Sequence, residues 1–134
     1  GHLLIGVDCK KETKTLELAY NDPDGVTAQF NLNALAHLNR VLDADFNLRA
    51  FAHEAHYNED LGCIQMFLRS LVEQRVDICD EHFHFAAGEC LHTENSYKYA
   101  PAEFVQLAGS AGFDCQQQWL DEKAYFGLYL LRAR

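Results

Sequence analysis

Within Leu91-His92-Thr93-Glu94-Asn95-Ser96-Tyr97-Lys98-Tyr99 the chain sets a carboxylate, an imidazole, an ammonium, an amide and four hydroxyls into nine consecutive residues. The stretch reads as a strand, in which alternate side chains face the same way. His92, Glu94, Ser96 and Lys98 are therefore expected on one face, with Thr93, Asn95, Tyr97 and Tyr99 on the other. A carboxylate only accepts hydrogen bonds, whereas a hydroxyl donates or accepts. Glu94 and Ser96 could thus hold an imidazole-like ring by both of its nitrogens. The same spacing also describes a solvated strand face with an incidental carboxylate.

Other polar and soft side chains carry a similar pair of readings. Tyr20 precedes the turn Asn21-Asp22-Pro23 and is either a packing aromatic or a hydrogen-bond donor to a ligand. Thr27 is a pocket hydroxyl or simply a hydroxyl at a helix start, and Met66 is a ligand contact or core filler. Asn31 and Asn33 fall near a helix start, where amides are normally exposed. Seven histidines invite a metal, but the spacing argues against one. His53 and His56 lie three apart in a segment that alternates like a strand, so they point to opposite faces. His82 and His84 share a face but have no partner at a recognised ligand spacing.

These groups need elements to position them. Leu3 to Val7 is a short apolar run of the kind found in a strand covered on both faces. Thr13 to Tyr20 suits a short helix, and Val26 to Leu42, with Phe30, Leu35, Leu38, Val41 and Leu42 at helical spacing, suits the main one. Asp45 is placed to cap a turn over Asn47 to Arg49. Alternation then predicts strands over Phe51 to Tyr57, Ile64 to Leu68, Val72 to Ile78, His82 to Phe85 and Cys90 to about Tyr99. Pro101 suits the first turn of a helix running to Ala111, with Gly112 at its end. Phe113 to Leu120 and Tyr125 to Leu131 form a terminal hairpin.

Composition narrows the classes. At 134 residues, 49% of them apolar, the chain suits one folded unit with a single core as the default. Eleven Lys and Arg against 20 Asp and Glu give a net charge of −9, which disfavours nucleic acid and anionic membranes as partners. No apolar run approaches the ~20 residues of a membrane helix. Five scattered cysteines without a CxxC pair imply neither a disulfide framework nor a cysteine zinc site, and a cytoplasmic location fits them. The first residues carry no secretory signal pattern.

Taken together, Leu4-Ile5-Gly6-Val7-Asp8, Ala19-Tyr20-Asn21-Asp22, Gly25-Val26-Thr27-Ala28, Phe30-Asn31-Leu32-Asn33, Phe85-Ala86-Ala87-Gly88-Glu89 and the His92-to-Tyr99 string resemble the histidine-specific S-adenosylmethionine-dependent methyltransferases. Characterised members of that family include the enzyme that trimethylates the α-amino group of L-histidine on the way to ergothioneine. The resemblance covers almost the whole chain in order. It implies an α+β fold, a mixed-sheet fragment of a Rossmann-like methyltransferase. Residues 3–8 would supply the fifth strand, and residues 100–134 would carry the C-terminal hairpin. An inserted β-rich substrate-binding subdomain with the main helix would occupy about 13–99.

Carried over residue by residue, the resemblance assigns Tyr20 to the carboxylate end of the amino acid and Glu94 with Ser96 to the imidazole. Thr27 and Met66 would line the same pocket. Asn95 stands where the ergothioneine branch has an apolar residue, so the branch stays open. The implied cofactor, S-adenosylmethionine, would be held largely outside this chain, because no Gly-rich strand-to-helix turn with an acidic ribose-binding residue occurs here. The chain is then expected to be a C-terminal fragment, inactive alone, with no catalytic or metal-binding residue of its own. It would self-associate through the unpaired edge of its first strand. A free-standing small-molecule-binding module without catalysis is the rival expectation.

Overall fold

A computed structural model describes residues 1–134. The apolar run at the start forms β1 (His2–Asp8), and the terminal hairpin forms β7 (Phe113–Leu120) and β8 (Phe126–Ala133). They make an antiparallel sheet in the order β1-β8-β7, so the return strand lies between the other two and β1 keeps one open edge. One face of this sheet packs against α3 (Pro101–Ser110), burying Val7, Tyr129 and Leu131 against Phe104 and Ala108. The other face has no helix on it. Leu4 there is 59% exposed, which corrects the expectation of a strand covered on both faces.

The chain between β1 and α3 builds a second body of structure. Helices α1 (Thr13–Tyr20) and α2 (Val26–Val41) are followed by a 3-10 turn at Leu48–Ala50. Strands β2 (Phe51–Asn58), β3 (Cys63–Ser70) and β6 (Cys90–Tyr97) then form an antiparallel sheet in the order β2-β3-β6. Strands β4 (Gln74–Ile78) and β5 (Glu81–Phe85) form a separate hairpin. Leu16 of α1 packs on Ala55, Ile64 and Met66 of this sheet, while Leu35 of α2 packs on Phe51 and Leu68. Both helices thus cover the face to which the even-numbered residues of β3 point. The fold is mixed α+β with three helices, of which α2 is the longest.

Several local expectations give way to packing. The inward line of α2 runs Asn31, Leu35, Leu38, and Phe30, about 100° round the helix from Asn31, is 64% exposed. Asn31 is 2% exposed, because its side-chain amide donates to His53 Nδ1 at 2.9 Å and to the Phe67 carbonyl at 3.1 Å. The cap of the 3-10 turn is Asn47, whose Oδ1 accepts from the Arg49 amide at 3.1 Å. Asp45 instead accepts from the Asp77 amide at 2.7 Å, tying the loop to β4.

A register shift between Met66 and Phe67 of β3 also corrects the predicted faces of β6. Met66 pairs with Glu94 and Phe67 with His92, leaving Thr93 as the extra residue of a bulge. His92 therefore turns to the outer face, where it stacks on Phe67 at 4.9 Å. Glu94 and Ser96 stay on the helix-covered face, opposite Met66 and Ile64.

The N-terminus of α2 is held by Asp22, whose carboxylate accepts from the Val26 and Thr27 amides at 2.8 and 3.0 Å. The Thr27 hydroxyl and these amides lower its pKa to about 2. Because an unfolded aspartate titrates near ~3.9, the cap supports the folded chain fully above that pH and is lost as pH falls through the folded value. The Val26 and Thr27 amide proton shifts are expected to titrate together with a midpoint of about 2; a midpoint near the free aspartate value would mean the cap does not form in solution.

Two glycines separate strain from slack in the first sheet. A Cβ on Gly127 would meet Tyr129 at 2.6 Å from a ring carbon and 2.7 Å from the hydroxyl, and one on Gly6 would meet the Phe126 ring at 2.5 Å. Phe126 is 50% exposed and can swing aside, whereas Tyr129 is fully buried against Phe104 at 4.6 Å. Gly127→Ala is expected to destabilise by about 1–3 kcal/mol in urea denaturation, and Gly6→Ala by less than half of that.

Candidate functional site

The strand β6 leaves its sheet at Tyr97 and returns to the side of β1. Tyr99 forms a parallel bridge with Cys9, and its amide donates to the Asp8 carbonyl at 3.2 Å. This return carries Lys98 to Asp8. The Lys98 side chain is 1% exposed, and its ammonium donates to Asp8 Oδ2 at 2.9 Å, to the Tyr20 hydroxyl at 2.7 Å and to Ser96 Oγ at 2.8 Å. Tyr20 and Ser96 are themselves 2.8 Å apart. Three groups, from β1, α1 and β6, therefore meet around one buried cation from the segment after β6.

The charge is stabilised where it sits. Burial works to lower the Lys98 pKa, but the hydrogen bonds to Tyr20 and Asp8 outweigh it and hold the ammonium above its ordinary value. Burial likewise pushes the Asp8 carboxyl up, and its hydrogen bonds with Lys11 and Lys98 reverse that, leaving it below the usual carboxylate range.

Tyr20 is positioned from behind as well. Asn21 clasps the backbone of Ala55 in β2, donating to its carbonyl at 2.8 Å and accepting from its amide at 3.0 Å. His53 accepts at Nδ1 from Asn31 and donates from Nε2 to the Tyr20 carbonyl at 2.7 Å. The end of α1 is thereby tied to β2 and α2 by side chains whose donors and acceptors match.

Glu94 makes no side-chain hydrogen bond or ion pair and is exposed. It lines a cleft of about 300 Å³ with Thr93 and with Phe30, Asn31, Asn33 and His37 of α2. Tyr20 and Ser96 do not line this cleft, although Ser96 lies on the same face of β6, two residues away. Met66 is buried opposite Glu94, among Leu16, Ala55 and Ile64. Thr27 lies in the first turn of α2 and is engaged with Asp22.

The geometry thus joins Tyr20 to Ser96 directly, and sets Glu94 on the same strand face with a free carboxylate. Met66 belongs to the buried cluster against which Tyr20 packs, and Thr27 makes no hydrogen bond to Tyr20, Ser96 or Glu94. Sequence reasoning missed Asp8, Asn31 and His53, and left Lys98 without a role. For Lys98 the signal was present, since a lysine alternating with Glu94 and Ser96 must either reach solvent or find a carboxylate.

The comparisons with known proteins cover the same residues. The family model described as histidine-specific, S-adenosylmethionine-dependent methyltransferase matches residues 1–133. The histidine N-alpha-methyltransferase of Mycolicibacterium smegmatis is 45% identical over 130 residues, 96% of this chain and 40% of that protein. The protein of the same name from Mycobacterium tuberculosis is 44% identical over equal shares. An L-tryptophan methyltransferase of Psilocybe serbica is 31% identical over 98% of this chain and 37% of its own length. The chain thus spans about 40% of the length of the relatives it matches best among these. With nearly every residue matched, the chain belongs to the histidine-specific, S-adenosylmethionine-dependent methyltransferase family.

Proposed function

We propose that these residues are the substrate-binding C-terminal part of a methyltransferase that acts on the α-amino group of histidine. The observation that carries this reading is the pairing of a free carboxylate, Glu94, with a hydroxyl, Ser96, on one strand face beside Tyr20. Glu94 accepts a ring N–H of the substrate and Ser96 engages the other ring nitrogen. Tyr20 donates to the substrate carboxylate, with Thr27 and Met66 shaping the surrounding wall. Amino acids without two ring nitrogens leave these polar groups unpaired, which is the basis for rejecting them. Relatives named for histidine and for tryptophan both align over these residues, and in this reading the imidazole contacts are where the choice of ring is made.

S-adenosylmethionine, implied by the family, supplies the methyl group. The residues here do not form a cradle for it. The strand-to-helix connections from β1 to α1 and from β6 to α3 contain no glycine, so the close backbone approach that a nucleotide-type cofactor needs is missing at both. In this reading the segment from α1 to Tyr99 is the substrate subdomain, and β1, β8, β7 and α3 belong to the methyltransferase sheet. The open edge of β1 is then the place where a further strand of that sheet pairs, and where copies of the isolated chain associate.

Two measurements test the reading. In the full-length protein, Glu94→Ala is expected to lower kcat/KM for L-histidine by about 100-fold or more, since one polar ring contact is lost and a ring N–H is left unpaired. An unchanged value would remove Glu94 from the ring contact, and no turnover of L-histidine by the unsubstituted protein would remove histidine as the substrate. The isolated 134-residue chain, mixed with S-adenosylmethionine and L-histidine, is expected to yield no methylated product by mass spectrometry; turnover by this chain would show that the cofactor is held by residues described here.

A further inference from the structure

We propose that Lys98 is a positioning residue for substrate recognition, fixing the hydroxyls of Tyr20 and Ser96 so that together they offer the substrate one donor and one acceptor. The inference rests on the reading that histidine binds beside this pair. Lys98 itself cannot reach a ligand. Its side chain is 1% exposed, and its three N–H bonds are all engaged, by Asp8, Tyr20 and Ser96 at 2.9, 2.7 and 2.8 Å.

Counting protons and lone pairs shows what the cation does. Each hydroxyl has one proton and two lone pairs. Lys98 fills one lone pair on each oxygen, and the 2.8 Å contact between Tyr20 and Ser96 uses one proton and one further lone pair. The hydroxyl that receives that bond has no lone pair left and can only donate outward. Its neighbour has spent its proton and can only accept. A substrate carboxylate at Tyr20 accepts only, so it selects the arrangement in which Ser96 donates to Tyr20 and Tyr20 donates to the carboxylate. Ser96 then presents a lone pair to the ring, which, with Glu94 accepting from the other nitrogen, means that the ring is taken with both nitrogens protonated. Without the ammonium both oxygens regain a lone pair and each can donate or accept outward, so the array loses its single arrangement.

Asp8 completes the device by holding the ammonium in place, and Lys11, hydrogen-bonded to Asp8 at 2.5 Å, keeps that carboxylate paired when Lys98 is removed. A neutral side chain of similar length is therefore tolerable at position 98. The full-length protein is the right sample, with L-histidine affinity measured by titration calorimetry for Lys98→Met, Ser96→Ala and the double variant. Loss of charged hydrogen bonds to both hydroxyls is expected to raise Kd about tenfold or more in Lys98→Met. In the Ser96→Ala background the further loss on adding Lys98→Met is expected to shrink to about threefold, because only the bond to Tyr20 is left to lose, whereas a merely structural role would multiply the two losses in full.

Should Lys98→Met fail to fold, the isosteric Asp8→Asn is read in the same way, with an expected rise of about threefold that shrinks to below about twofold in the Ser96→Ala background. A Kd within twofold of the unsubstituted protein, or losses that multiply, overturns the role of Lys98 and leaves the functional reading standing. Absence of histidine binding by the unsubstituted protein overturns both.

Discussion

The contact between Asp8 and Lys98 is the constraint on which the arrangement of the site depends. A lysine with 1% of its side chain exposed is costly unless a carboxylate and further acceptors surround it. The fold meets this requirement by bringing the end of β6 back to the end of β1, so that entry and exit of the long middle segment lie side by side at Cys9 and Tyr99. Once the cation is fixed there, Tyr20 and Ser96 have little freedom left. The site is therefore organised from the junction of the two sheets outward, with the Tyr20 and Ser96 hydroxyls and then Glu94 as its outer groups.

A second layer of control comes from uncharged hydrogen bonds. Asn21, Asn31 and His53 link α1, α2, β2 and β3 beneath Tyr20, each with its donors directed at acceptors. Removing a single member would leave buried polar groups unmatched, which costs more than the bond itself contributes. The clearest contrast is Glu94, which has no partner among the protein's own side chains and lies at the edge of a cleft. Rigid donors and acceptors behind and one free carboxylate in front is an arrangement suited to selecting a ring by its nitrogens.

Much of the architecture was legible in the sequence where local signals were strong. Pro101 and Gly112 bound α3 within a residue or two, and the Asn21-to-Gly25 cluster ends α1 and starts α2. The strands of the middle segment show their alternation plainly. Signals failed where tertiary contacts decide. Asn31 reads as an exposed amide, yet it is buried because His53 and the Phe67 carbonyl take both of its protons. The bulge at Thr93 reverses the facing of His92, and no residue type announces it. The site divides in the same way: Glu94, Ser96 and Tyr20 stand out by type and order, whereas the importance of Asp8 and Lys98 depends on a meeting of residues 90 positions apart that spacing alone does not reveal.

That bulge has a bearing on how the strand can vary. Thr93 anchors it by donating from its hydroxyl to the Met66 carbonyl at 3.1 Å. Upstream of this point β6 sends His92 outward onto Phe67 and Leu91 inward onto the core beneath α2, and downstream it sends Ser96 to the buried cation. One strand is in effect two half-strands hinged at a threonine. Exchanges among the outward-facing groups before the hinge can retune solubility or surface contacts without turning the half that carries Glu94 and Ser96 by even one position.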